Sequence, residues 1–464
     1  MIPPASSNAT ATAQGRGRSR VRAKAMLALV ALALLVFFLA LPEPGDERVA
    51  PPAEGFVVRD VRVFDGEQLL PRATVVVRAG RIAAVRADPT TASTDDAAGL
   101  PVIDGMGLTL LPGLIDAHVH VWGNALAETL NFGVTTVLDM FSEPVAAQNL
   151  RRTRDALSPR AHADLFSAGY LATAPGGHGT QFGLPVPTLT TPAEAPAWVD
   201  ARLAEGSDYI KIVYEPRDAN GLGPPFPSID RDTLAALVQA TQARGRLAVV
   251  HVSRRAPALD VAAAAADGLV HVPGDRVRDD GLARQLRERG VFVTPTLSVL
   301  ASLAGRGPDG TPTEGERLAA DPAVRPFLTP DQRQGLGRSF GSRVSAFQFE
   351  AALATVAELH AAGVELMAGS DAPNPGTAHG ASLHHELELL VRAGLTPTEA
   401  LRAATTTPAR RFGLSDRGRI ATGQRADLLL VRGDPTADIT ATRQIERVWK
   451  NGAPVQRQRY PEAS

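Results

Sequence analysis

The chain has 464 residues and not one cysteine. That absence excludes a disulfide framework, a lipidated cysteine and thiolate coordination of a metal, while leaving the redox compartment open. Net charge is equally scarce. With 48 Lys and Arg against 49 Asp and Glu, the balance is −1, so there is no electrostatic case for nucleic acid as a partner. No internal repeat is evident, and low-complexity sequence is confined to Pro- and Ala-rich linkers. Residues 1–24 lack any acid but carry Arg16, Arg18, Arg20, Arg22 and Lys24, followed by an unbroken apolar run from Ala25 to Leu41.

That charge asymmetry predicts a basic cytoplasmic tail (1–24), a signal anchor or signal-peptide core (25–41) and a Pro- and charge-rich linker (42–55), with the rest of the chain extracytoplasmic. Phe38 and Ala40 make a poor small-x-small cleavage pair, which favours an uncleaved membrane anchor. Cleavage and secretion is the alternative.

What the chain does have is six residues able to ligate metal, spread in order: His118 and His120, Lys211, His251, His271 and Asp371. Each lies near the end of a short apolar run that reads as a β-strand. In LIDAHVHVW (114–122) the two histidines are two residues apart, so their side chains leave the same strand face roughly 7 Å apart and can converge on one ion. One strand histidine is most simply a hydrogen-bonded core residue. Six such residues together are not explained that way.

The runs themselves suggest the fold. They fall at 114–122, 135–140, 164–171, 209–214, 247–252, 268–274, 291–297 and 365–372, and most are separated by helical patterns such as 232–245, 280–290 and 349–363. Eight strands alternating with helices read as an α/β (β/α)8 TIM barrel over 111–415, whose reactive groups sit at the carboxyl ends of the strands. Hydrophobic residues make up 44% of the chain, enough for the core of a barrel that normally needs about 250 residues. Segments 56–110 and 416–464 alternate apolar and polar residues in period two, and predict a small β-sandwich built from both termini.

LPGLIDAHVH (111–120), GSDA (369–372), the helix GLTPTEALRAATTTPARRFGL (394–414) and GQRADLLLV (423–431) occur in this order. On these motifs the chain resembles the amidohydrolase superfamily of metal-dependent hydrolases, from about residue 56 to the end. The lysine on strand four and the loop APGGHGTQFGLP (174–185) resemble the binuclear branch that holds Xaa-Pro dipeptidases and imidazolonepropionase-like proteins. The resemblance implies hydrolysis of C–N bonds in a small substrate, by a dipeptidase or cyclic amidase.

Lys211 is the most diagnostic residue. A lysine inside the strand YIKIVY points into the barrel, where an unpaired ammonium costs several kcal/mol. Either a carboxylate such as Asp371 pairs with it, or the neutral amine takes up CO2 to form a carbamate, as in superfamily members with this lysine. In the second case two divalent metal ions follow. His118, His120 and Asp371 would hold one, His251 and His271 the other, and the carbamate would bridge them. Imidazole and carboxylate ligands suit Zn2+ first, and the metal-bridging hydroxide would be the nucleophile. Asp371 is then the natural proton shuttle.

Substrate contacts are less constrained by the sequence. His178 is a candidate for the oxyanion, Tyr214 for the same role, Arg254 and Arg255 for a substrate carboxylate, and His379 for a loop contact. Each also reads as an ordinary loop, packing or turn residue. His360, His384 and His385 are structural, the last two lying about 100° apart on one helix. Thr396, Pro397 and Glu399 form a helix N-terminus. The stretch 298–350 is long enough to form a lid. A lactonase, esterase or phosphoesterase could use the same ligands, and a homo-oligomer is compatible with the sequence.

Overall fold

The computed structural model describes residues 54–87, 99–217, 226–275, 280–305, 310–340 and 346–461. Seven parallel strands form two ladders. β6 (Leu114–Val119), β7 (Val134–Asp139) and β8 (Asp164–Ser167) make one. β9 (Ile210–Val213), β10 (Ala248–His251), β11 (Gly268–Val270) and β12 (Phe292–Thr294) make the other.

Hydrogen bonds join the two ladders into a ring. Ala172 N–H donates to the Lys211 carbonyl at 2.8 Å and links strands three and four. The eighth position, 365–372, pairs through isolated bridges at Leu366 and Ala372 rather than as a regular strand. Met367 N–H donates to Val293 O at 2.9 Å and Asp371 N–H to His118 O at 2.8 Å. The domain is therefore a TIM-like α/β barrel, with several strands shorter than the apolar runs suggest. His271, Thr296 and Asp371 stop strands six to eight by adopting left-handed backbone angles, φ 66°, 55° and 55°, which only Gly takes without cost.

Helices pack around the ring. Arg231–Gln242 begins where Asp230 accepts from Thr233 N–H and buries Leu234, Leu237 and Val238 on the spacing of one helical face. The single helix anticipated over 394–414 is two, Pro397–Ala403 and Thr406–Arg411. Pro408 has no N–H to donate to the carbonyl of Ala404, and Thr405 leaves helical geometry. Thr396 and Glu399 form the capping box of the first.

The termini do not make two stacked sheets. β1 (Gly55–Phe64), β2 (Leu69–Arg78), β3 (Arg81–Arg86), β4 (Val102–Asp104) and β5 (Leu108–Pro112) join β13 (Leu428–Arg432), β14 (Ile445–Lys450) and β15 (Ala453–Val455) in one eight-stranded sheet. Register shifts on both sides of Val61, with Asp60 at φ 55°, bend β1. The sheet curls around its own core of alternating residues, among them Phe56, Val75, Leu430 and Trp449.

The expected membrane anchor is corrected. Among the described residues no helix is long and apolar enough to cross a membrane. The longest, Ala346–Ala361, has 16 residues, about 24 Å at 1.5 Å per residue, against a hydrocarbon core of about 30 Å. The run 25–41 lies outside the described residues, and neither extracytoplasmic placement nor membrane attachment is retained. Nothing in the described surfaces supports an oligomer.

Candidate active site

Strand parity builds the site. Residues two apart share a face, so β6 and its extension turn His118, His120 and Trp122 inward, β9 turns Lys211 and Val213, and β10 turns His251 and then Ser253. These residues, with His178, His271 and Asp371, line one cavity of about 460 Å³. Asp371 Oδ1 lies 3.3 Å from His118 Nε2 and 3.0 Å from His120 Nε2. One ligand atom from each of the three falls within 4.8 Å of the others. His271 Nε2 is 3.0 Å from His251 Nδ1, and the His118 and His271 rings are 5.1 Å apart. All six sequence-predicted ligands therefore face one space.

A second layer sets their tautomers, inferred from the hydrogen-bond network. Thr296 Oγ1 donates to the Pro295 carbonyl at 2.7 Å, so it accepts from His271 Nδ1–H at 2.6 Å and leaves Nε2 bare. His120 Nδ1 meets the Phe141 carbonyl at 3.3 Å, which likewise frees its Nε2. Asp116 accepts from His118 N–H and from the N–H and hydroxyl of Ser370 at 3.2, 3.0 and 2.6 Å. That carboxylate ties strand one to strand eight, and burial pushes its pKa up to about 7. Glu386 caps the helix Leu297–Ala304 that follows Thr296, accepting from Leu297 N–H and Ser298 N–H at 2.9 and 2.7 Å.

The electrostatics favour neutral bases around one anion. Burial drives the pKa of His118 and His251 well below the usual imidazole value and that of His271 down to about 3. Burial lowers Lys211 to about 7, against the opposing pull of Asp371 and Asp139. Asp371 is the exception. Burial alone would raise it, but His118, His120 and His271 hold it well below the carboxylate range. Among the described residues no carboxylate lies within ion-pair distance of Lys211, so the alternative reading, a salt bridge to Asp371, is not what the structure forms. Both ring nitrogens of His118 and Oδ1 of Asp371 are buried without a hydrogen bond, each a cost of about 1–3 kcal/mol. A divalent metal ligated by imidazole and carboxylate would satisfy Asp371 Oδ1 and the His118 nitrogen that faces it at 3.3 Å, so the donor set fits one.

Other sequence candidates fare differently. His178 is in the cavity, its ring 5.1 Å from that of His251, with its pKa lowered to about 4 by burial first and Lys211 next. Tyr214 is not: three residues beyond Lys211 on a strand is the opposite face, and its hydroxyl donates to Asp260 at 2.8 Å among the surrounding helices. Arg254 bonds the Pro216 carbonyl and does not line the cavity. Arg255 is clamped by Asp280 and Glu358 at 2.7 and 2.9 Å, neither of them beside it in sequence. His379 is buried outside the cavity lining, with neither ring nitrogen hydrogen-bonded. His384 is held by Thr442 and the Phe132 carbonyl at 3.0 and 2.9 Å. Of the stretch 298–350, Val299, Leu300, Leu303 and Phe340 form cavity wall, and 306–309 and 341–345 lie outside the described residues.

Sequence reading missed Glu215, Thr296, Asp116 and Glu386. Glu215 is buried 3.6 Å from His251 Nε2, and burial raises its pKa to about 7. The signal was available: Lys211, Val213 and Glu215 share one parity.

Comparison with known proteins agrees with this geometry. The amidohydrolase family model matches residues 109–455. An uncharacterized protein of Mycobacterium tuberculosis is 28% identical over 358 residues, which span 74% of this chain and 84% of that one. A shorter match, 41% identical over 98 residues, covers 20% of this chain and 24% of an imidazolonepropionase of Deinococcus deserti. Among solved structures, a candidate prolidase from Bifidobacterium longum superposes with a TM-score of 0.69 at 26% identity, covering 87% of this chain and 95% of that one. A Xaa-Pro dipeptidase with methionine in its active site gives 0.66 at 21% identity, over 87% and 100%, a likeness of fold. With a family model spanning both the barrel and the returning C-terminal strands, the chain belongs to the amidohydrolase family.

Proposed function

We propose that this protein hydrolyses amide or peptide C–N bonds in small substrates of dipeptide or cyclic-amide type, using two divalent cations, zinc first. The observation that carries the reading is the convergence of four mostly buried histidines, one anionic aspartate and one buried lysine on a single cavity, in which both ring nitrogens of His118 and Oδ1 of Asp371 lack a hydrogen bond. His118, His120 and Asp371 would hold one cation, and His251 through Nδ1 and His271 through Nε2 the other. Bound there, the cations would lower the pKa of a shared water toward neutrality and polarise the scissile carbonyl.

The chain's own residues do the rest. Lys211, with its amine made neutral near pH 7 by burial, forms an N–C bond to CO2 and releases a proton, becoming an anionic carbamate ligand. Asp371 accepts the proton of the nucleophile and delivers it to the leaving nitrogen. His178, kept neutral by burial, donates an N–H to the developing oxyanion. Relatives and neighbours described as imidazolonepropionase, prolidase and Xaa-Pro dipeptidase support the C–N assignment.

Metal analysis joined to a hydrolysis screen tests the reading. Two equivalents of metal are expected, with turnover among dipeptides, N-acyl amino acids or cyclic amides that a chelator abolishes. Protein without stoichiometric metal refutes it, and so does metal-loaded protein that cleaves only lactones or phosphoesters.

A further inference from the structure

Much of the cavity wall beside the candidate ligands is apolar. Phe141, Leu171, Phe182, Leu300, Leu303 and Phe340 form it. Phe141 sits in edge and tilted contact with Trp122 and Phe182, at 6.4 and 6.1 Å between ring centroids. Trp122 and Phe182 are 40% and 55% exposed, an unusual exposure for two large aromatics, and both line the cavity. Besides the histidines and the Trp122 indole, Ser253 and Asn374 are the neutral hydrogen-bonding side chains on the lining, and Asn374 already donates to the Asp371 carbonyl at 2.9 Å. Among the described residues Lys211 is the only Lys or Arg on the lining, and it is committed to the ligand cluster. Arg254 and Arg255, the nearby cations, point elsewhere.

A free dipeptide brings a carboxylate, and a desolvated carboxylate without a partner is strongly disfavoured. An aryl or branched alkyl group, by contrast, gains from such a wall. The geometry points to neutral, apolar substrates: amides in which one substituent of the scissile bond is aryl or bulky alkyl and neither carries a free carboxylate. The inference rests on the C–N hydrolase reading and narrows its substrate class to end-blocked compounds.

The matched pair N-hexanoyl-phenylalanine amide and N-hexanoyl-phenylalanine tests it, since the two differ only in the charge of one terminus. With the metal-loaded full chain, the neutral member should be cleaved at the hexanoyl–nitrogen bond with kcat/KM about 100-fold higher, the order of discrimination that a well-formed site achieves. Leu303→Arg, or Leu300→Lys should that variant not fold, should narrow the ratio by about tenfold. Binding is read separately through Trp122, because Trp198 and Trp449 are buried: the neutral compound should quench fluorescence, and Trp122→Phe should abolish the quench. Equal or better binding and cleavage of the carboxylate would overturn the inference while leaving C–N hydrolysis intact. Selective binding of the neutral compound without cleavage by either member would uphold the neutral seat and refute the chemistry proposed above.

Discussion

Replacing Lys450 by Met should destabilise the fold at a point far from the cavity. Lys450 ends β14 fully buried, and its ammonium donates to Asp164 Oδ2 at 2.7 Å and Asp427 Oδ2 at 2.6 Å. Asp164, at the start of barrel strand β8, also receives Arg417 at 2.7 Å and Arg160 at 2.9 Å. This cluster latches the curled terminal sheet to the barrel. Removing the ammonium leaves Asp164 with Arg417, Arg160 and, at 4.0 Å, Arg425 but leaves Asp427 Oδ2 stripped of its partner, while Oδ1 keeps only Asn451 N–H at 2.7 Å. Removing one member of a buried ion pair costs about 3–5 kcal/mol. At about 2.1 cal/mol/K per residue over roughly 400 residues the unfolding entropy is about 0.85 kcal/mol/K, so Tm should fall by about 4–6 °C. Calorimetry measures it, and Lys450→Met combined with Asp427→Asn should recover part of the loss because the stranded charge is gone. The pH dependence has a definite sign. Burial alone would raise the Asp164 pKa, yet Lys450 and Arg417 hold it well below its ordinary 3.8. Its ionised form therefore stabilises the fold above pH 3.8, and that contribution is lost only as pH falls through the lower folded value. Without Lys450 the folded value rises, and acid unfolding should begin at higher pH. A Tm within about 1 °C of wild type would refute the latch, as would a double variant that loses the sum of the two single effects.

Three further outcomes follow from the site. Asp371→Asn should keep the fold and at least part of the metal yet lose about 10²- to 10⁴-fold in kcat, measured with saturating substrate, because the proton moves only in the transition state. A near-normal kcat at full metal content would transfer the shuttle role to another residue. Thr296→Val, nearly isosteric, removes the acceptor that fixes the His271 tautomer and should weaken metal at the His251–His271 position by about 10- to 100-fold in a zinc titration with little change in Tm. For metal-free protein, the Lys211 pKa is lowered from 10.5 to about 7 in the fold, so the unfolded chain binds more protons between those values. Stability should then rise with pH from about 7 to 10.5, by up to about 1.4 kcal/mol per unit, and Lys211→Met should flatten the slope in urea titrations.

Much of the barrel, and the convergence of the six candidate ligands on one cavity, is legible in the sequence because both rest on local periodicity. Apolar runs mark strands, and a His-x-His pair on a strand must share a face. Where the sequence reading erred, the deciding partner was distant or the parity was overlooked. Arg255 reads as a substrate clamp until Glu358, 103 residues away, is known to hold it. Tyr214 errs for a simpler reason. Odd spacing from Lys211 turns it outward, and the same count would have nominated Glu215. The curl of the terminal sheet depends on a bend at Asp60, which alternation of apolar residues does not encode.

The remaining gap concerns backbone angles. Three non-glycine residues at the mouth of the barrel, His271, Thr296 and Asp371, hold left-handed φ values, each costing on the order of 1–3 kcal/mol. Propensity rules would place Gly or Asn at such positions. What the chain gains instead is direction: strands six and eight are broken where His271 and Asp371 enter the common cavity, and strand seven where Thr296 reaches the His271 ring behind it. His271 and Asp371 are two of the candidate ligands, and Thr296 Oγ1 bonds His271 Nδ1. Gly369 shows the same pressure from the other side, since a Cβ there would lie 2.8 Å from His118 Cβ and 2.5 Å from Thr294 Cγ2. The strand-eight segment thus uses its one side-chain-free position to make room for a candidate ligand and its strained position to supply another. Local rules fail here because the site, and not the strand, sets the geometry.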